Sequence, residues 1–215
     1  MTRFLILFFI ILCSCGNERT VQLPEVETSN IHEVLDVSPI YIFYDETQPD
    51  STLFNRKNMI STTNWLVNVD KRLSLKQVVP HLQYLQDKRN KDSMHKNEDA
   101  KNYFTCNDTG IGNLGFLEFT DVSYNFKGRA VDNSIQHNYL LVFNKNKINI
   151  TYSNSVIETD INNFLNELKN IELSENMLHL FFKESLSFQD YIEIKSKINN
   201  FNTDDLIIDK YEIIF

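Results

Sequence analysis

The stretch Gly110–Gly115, GIGNLG, matches the G-x-G-x-x-G pattern of dinucleotide-binding loops. That chemistry needs the glycines to leave a strand and open a helix, so that the helix N-terminus meets the pyrophosphate. Here a polar loop precedes them and the apolar run GFLEF follows, so the motif is expected to be a plain glycine loop entering a strand. His95, Glu98 and Asp99 could crowd a metal ion, yet no second histidine stands near them. The other histidines, His32, His81, His137 and His179, show no zinc-ligand spacing. His179 sits in an apolar strand pattern and reads as a satisfied core or edge histidine, while Glu118, between Leu117 and Phe119, reads as the solvated side of a strand. Cys106 reads as a lone buried or loop thiol. No G-x-S-x-G, phosphate-binding loop or supported carboxylate pair occurs, so the sequence assigns no catalytic, cofactor or metal residue, and a non-enzymatic role is expected. Trp65, Tyr103 and Tyr124 could line an aromatic pocket for a glycan or a peptide, although Trp65, beside Leu66 and Val67, also reads as core.

Chemistry done to the chain is more legible than chemistry done by it. MTRFLILFFIILCSCGN carries a cation at Arg3 and an apolar run from Phe4 to Leu12. A membrane-crossing helix needs roughly 20 such residues, so this shorter run reads as the core of an export signal. Leu12-Cys13-Ser14-Cys15 resembles a bacterial lipobox, and bulky Leu12 makes Cys13 a poor alternative as the modified cysteine. The resemblance implies a signal peptide over residues 1–14, cleavage before Cys15 and lipid on its sulfur. Joined acyl chains hold a protein at a bilayer by about 0.8 kcal/mol per buried CH₂. An ordinary cleaved signal or a short anchor is the alternative. With Cys13 lost and Cys15 lipidated, no disulfide framework is expected.

The elements that would position anything else follow from pattern. The 215 residues carry 42% hydrophobic side chains, enough for a real core, and a net charge of −8 with no basic stripe, which argues against nucleic-acid binding. Residues 15–38 read as a polar tether, 39–125 as a first α/β half and 137–215 as a second. In the first half, strands are expected at IYIFYD from Ile40 and NWLVNVD from Asn64. A helix follows, with Ser74 and Gln77 as a capping box and Leu75, Val78, Val79, Leu82 and Leu85 on one face. Pro80 lies inside that helix, where a kink is expected. GFLEFTDVSY from Gly115 reads as one closing strand. The second half reads β-β-α-β-α-β: a hairpin turning at Asn144–Asn146, a helix from Ile157 to Lys169, the strand MLHLFF, a helix capped by Ser187 with Asp190, and terminal strand DLIIDKYEIIF.

One turn is written twice. VDKRLSLKQVVPHLQ from Val69 and FKESLSFQDYIEIKS from Phe182 align 113 positions apart, placing Leu73 on Leu186, Ser74 on Ser187 and Val79 on Ile192. The second half, through YLLVFNKNKINITY, IETDINNFLNELKN and LHLFFKESLSFQDYIEIKSKI, resembles the periplasmic domain of the ExbD/TolR biopolymer-transport family. The turn at Asp70 and Lys71 resembles the same unit. The resemblance implies an α+β two-layer fold, a mixed sheet with helices on one face; the repeated turn is either the mark of two tandem strand–helix–strand halves or what any capped amphipathic helix after a strand shows. It also implies dimers in the periplasm and work beside a stator or TonB-like protein. That family carries an aspartate in a membrane helix. The leader here has no acid, so proton conduction by this chain is not expected. The expected function is therefore that of a lipid-anchored, Gram-negative envelope protein with a protein-interaction module accessory to ExbD/TolR-type transport. The alternative is a periplasmic or surface lipoprotein holding a glycan or peptide. Gly16 after the cysteine leans to the outer membrane, and an ExbD/TolR role to the inner. The terminal YEIIF could add to a partner's sheet or lie inside its own.

Overall fold

The computed structural model describes residues 19–91, 97–126, 138–153, 155–171, 177–201 and 206–215. Cys15, His95 and His137 lie outside the described residues. The chain runs β1 (Glu25–Val26), β2 (Val37–Tyr44), β3 (Thr52–Asn55), β4 (Asn64–Val69), α1 (Leu75–Asn90), β5 (Asn102–Asp108), β6 (Asn113–Glu118) and β7 (Ser123–Asn125). It continues through β8 (Asn138–Asn144), β9 (Lys147–Tyr152), β10 (Ser155–Thr159), α2 (Phe164–Asn170), β11 (Met177–Phe182), α3 (Phe188–Asn199) and β12 (Ile207–Ile214).

These strands form two mixed sheets. In the first, β2, β4 and β5 are parallel neighbours, with β3 antiparallel at the β2 edge and β6 antiparallel along β5. β1 adds a short parallel pairing at Asn107 and Asp108. In the second, the order is β10-β9-β8-β11-β12-β7, with β8, β11, β12 and β7 parallel and the β8–β9–β10 meander antiparallel. Parallel strands need crossovers, and α1 and α3 supply them. Alternate residues of the central strands are sealed: Ile40, Ile42, Trp65, Val67 and Val69 in one sheet, Leu140, Val142, Leu178, Leu180 and Phe182 in the other, are all 0% exposed. The inward residues of α1 and α3 join them in one continuous core. Among the described residues, no helix is long and apolar enough to cross a membrane.

The expected helix face of α1 is buried at all five positions, and the helix continues through Pro80. Other expectations need correction. Residues 19–38, expected as a tether, pack on the domain: Val26 is 2% exposed and Ser29 is 4% exposed. GFLEFTDVSY is split by a turn in which the Val122 N–H donates to the Phe119 carbonyl, so β6 stays in the first sheet while β7 joins the second. The helix expected from Ile157 begins at Phe164. Asp160 accepts the N–H groups of Asn162 and Asn163, which holds a turn there and leaves Ile157 in β10. YEIIF lies inside its sheet, between β11 and β7.

The halves match element by element. β2, β3, β4, α1 and β5 correspond to β8, β9, β11, α3 and β12 in pairing and direction, and β1 on β5 corresponds to β7 on β12. Among the described residues, the first half alone has β6; the second alone has β10 and α2. The two copies of the repeated turn meet, with Ser74 and Ser187 forming an antiparallel bridge.

Candidate clefts at the seam between the halves

Each leading strand is clasped by the helix of the other half. Gln189 of α3 accepts the Glu25 N–H at 2.8 Å and donates to the Glu25 carbonyl at 2.9 Å. Ser196 and Asn200 donate to the Thr28 carbonyl. On the other side Gln83 of α1 donates to the Tyr124 carbonyl at 3.0 Å, and Gln86 donates to the Val122 carbonyl. Side chains thus satisfy backbone groups that a further strand would otherwise take, and each clasp leaves a cleft beside it.

The larger cleft, about 750 Å³, lies between the leading segment, α2 and α3. Val26, Leu165 and Phe201 give it apolar surface; Asn162, Asn166, Lys169, Glu193 and Lys197 give it polar groups. Lys169 stands 5.5 Å from the Phe201 ring centre, a cation held over an aromatic face. The second, about 570 Å³, lies between α1 and Thr120–Tyr124, with Asp87, Asn90, Asp121 and Lys210 among its lining. Amides offer donors and acceptors together, so both clefts suit ligands that alternate the two, such as peptide backbones or hydroxyl-rich chains. Among the described residues both linings mix charges, three glutamates and two lysines in the first, two aspartates and one lysine in the second, and they differ in that only the first has an aromatic ring under a cation.

Beneath the second cleft runs a buried polar chain. Tyr124 and Tyr191 hydroxyls lie 3.1 Å apart, the Tyr191 hydroxyl donates to Glu212 Oε2 at 2.8 Å, and Lys195 Nζ stands 2.6 Å from Glu212 Oε1. Burial, with the Glu212 charge beside them, pushes both tyrosines well above their ordinary value. The sequence shows Lys195 on the inner face of its helix but gives no sign of the carboxylate it meets. Glu212 lies in the strand after that helix, and pairing across a crossover leaves no spacing signature.

Other polar groups serve the fold. Asp108, 0% exposed, accepts the N–H groups of Ser29, Gly110 and Ile111 at 2.7, 3.0 and 3.3 Å. The glycines of GIGNLG fit this clasp: a Cβ on Gly115 would stand 2.6 Å from Ser29 Cβ, and Gly112 turns the β5–β6 hairpin at φ +64°. Asp70, also sealed, holds the N–H and guanidinium of Arg72. Burial raises its pKa, but the hydrogen bonds from Arg72 and the Gln22 N–H outweigh that and lower it. Arg89 stacks 3.7 Å from the Trp65 ring centre and donates to Asn102 and the Ser61 and Thr63 carbonyls; burial lowers it to about 10.

The expected aromatic pocket is not assembled. Trp65 is sealed in the core, Tyr103 lies on the opposite face of the first sheet, and Tyr124 belongs to the buried chain. His179 bonds Asp209 at 2.6 Å, and Glu118 pairs with Lys101. Cys106 is buried, which pushes its thiol up. Among the described residues, no group of three metal-binding side chains is close enough to hold an ion. Comparison with known proteins finds no matching family model, no similar curated protein and no similar solved structure.

Proposed function

We propose that this chain is a lipid-anchored protein of a Gram-negative envelope, held through Cys15. Its paired α/β units are a protein-interaction module accessory to ExbD/TolR-type biopolymer transport. One observation carries the proposal: the strand–turn–helix unit on which the family resemblance rests occurs twice, and the two copies face each other through Ser74 and Ser187. With β10 as an added strand, the hairpin, helix, strand, helix and strand from β8 to β12 follow the order expected of such a unit, which supports the same reading. The clefts beside the seam offer partner contacts on structured elements rather than loops. Photo-crosslinkers at Lys197 and Lys210, in intact envelopes, test it. An adduct with a stator or TonB-like protein is expected; adducts with neither overturn the role. Cys15→Ala tests the anchor separately: the protein should leave the membrane fraction, and unchanged membrane recovery rules out lipid attachment.

A second reading, a glycan- or peptide-holding lipoprotein, is favoured by the larger cleft. There Asn166, Glu193 and Lys197 side chains make no hydrogen bond or ion pair among the described residues. Retention of soluble glycan or peptide without any protein adduct selects it.

A further inference from the structure

We infer that the seam is a two-fold dimer interface closed within a single chain, so that one copy works alone and carries two related but unlike clefts. In an isologous interface, if residue i contacts j, the copy of j contacts the copy of i. The seam obeys that rule at the 113-residue offset. The Leu75 N–H donates to the Leu186 carbonyl at 2.9 Å, and its counterpart Phe188 N–H donates to the Leu73 carbonyl at 2.7 Å. The Lys76 N–H donates to the Glu184 carbonyl at 2.8 Å, and its counterpart Gln189 N–H donates to the Lys71 carbonyl at 3.2 Å. Ser74 and Ser187 exchange places under the same operation, so the pseudo-axis passes between them.

Those four donors are first-turn N–H groups, which have no partner within their own helix. Each half therefore satisfies the helix start of the other. The reciprocity extends outward: α3 clasps β1 and α1 clasps β7. Inward, the seam is closed by Phe104 of β5, which meets Phe188 and Tyr191 of α3 edge-on at 5.3 and 6.3 Å. The surface that a symmetric pair of single units would use is thus already occupied. Two sequences joined in one chain are free to diverge, and the clefts have done so: α2 supplies Leu165 and Lys169 to one, while the other is lined by α1 and Thr120–Tyr124 with Lys210. Identical subunits could not offer a partner two clefts of different lining.

The test uses the lipidated protein in detergent. Light scattering is expected to give one chain per particle. A protease site inserted between Phe126 and Asn138 should, once cut, leave fragments that co-elute until denatured. The paired substitutions Ser74→Cys and Ser187→Cys should oxidise to a cross-link within the chain, leaving monomer mobility on a non-reducing gel. Fragments that part under native conditions overturn the proposal, as does a disulfide that joins two chains. A stable two-chain particle overturns it as well. None of these readouts depends on the transport partner or the lipid.

Discussion

The halves share a plan but bury their charges differently. In the first half each sealed ionic group is satisfied within that half: Asp70 by Arg72 and the Gln22 N–H, Asp108 by backbone N–H groups, Arg89 by carbonyls, Asn102 and an indole face. In the second half, Lys195 and Glu212 face each other across a crossover, and Tyr191 links them to Tyr124, which follows the first half in the chain. The first half can thus be disturbed locally. The second half's polar core depends on β7 being docked, so damage there should spread through the seam.

The largest expected effect tests that dependence. Glu212→Ala leaves Lys195 buried without a carboxylate, and breaking such a pair costs about 3–5 kcal/mol. A denaturant midpoint should fall accordingly, with faster proteolysis between β7 and β8. Arg89→Ala, the first-half counterpart, should cost about 2 kcal/mol through lost charge-assisted hydrogen bonds and leave the Tyr124–Tyr191 contact in place, as near-ultraviolet circular dichroism can report. Ser187→Ala removes an N-cap that accepts the Asp190 N–H and should cost about 1 kcal/mol in the same melt. If Glu212→Ala proves no worse than Arg89→Ala, the contrast between the halves is lost.

A smaller effect concerns pH. The folded pKa of Asp70 is lowered, so its contribution is present above the ordinary carboxylate value and is lost as pH falls through the folded one. Stability should drop on acidification, and Asp70→Asn should flatten part of that slope while lowering stability at neutral pH. The slightest response is expected from Cys106. A sealed thiol with its ionisation disfavoured should not react with a disulfide reagent in the native state, so its labelling rate reports opening of the core around β5. Labelling as slow as global unfolding in wild type, and quickened by Arg89→Ala, sharpens the comparison.

The helices and their caps were legible because amphipathic spacing is local. Leu75 to Leu85 and Phe188 to Ile198 face the core as their intervals require. The β8–β9 hairpin was legible from Asn144–Asn146. β5 was not, since NYFTCND mixes polar and apolar residues without alternation: its neighbours, β4 more than 30 residues upstream and β6 across the Gly112 turn, decide its burial. β1 was hidden in a polar stretch because two residues of pairing leave no periodicity, and its hold comes from Gln189. Ile157 to Leu168 has helical intervals, yet Asp160 captures the backbone and splits the segment between a strand and a short helix. The clefts were least legible. The larger one joins the leading segment to residues more than 100 positions on, and what brings them together is the pairing of Ser74 with Ser187.

The clasp on the leading segment has a mechanical consequence. Gln22 is held at both backbone groups, its N–H by Asp70 at 3.2 Å and its carbonyl by the Lys71 N–H at 2.8 Å, and Lys71 pairs with Glu25 at 2.6 Å. A pull entering from the N-terminal end would load this knot before it reached β1, and β1 would then drag on Gln189 beside the meeting point of the helices. Tension on the leading segment and the set of the larger cleft are thereby linked, as a rope made fast at a hinge is linked to the leaf beside it.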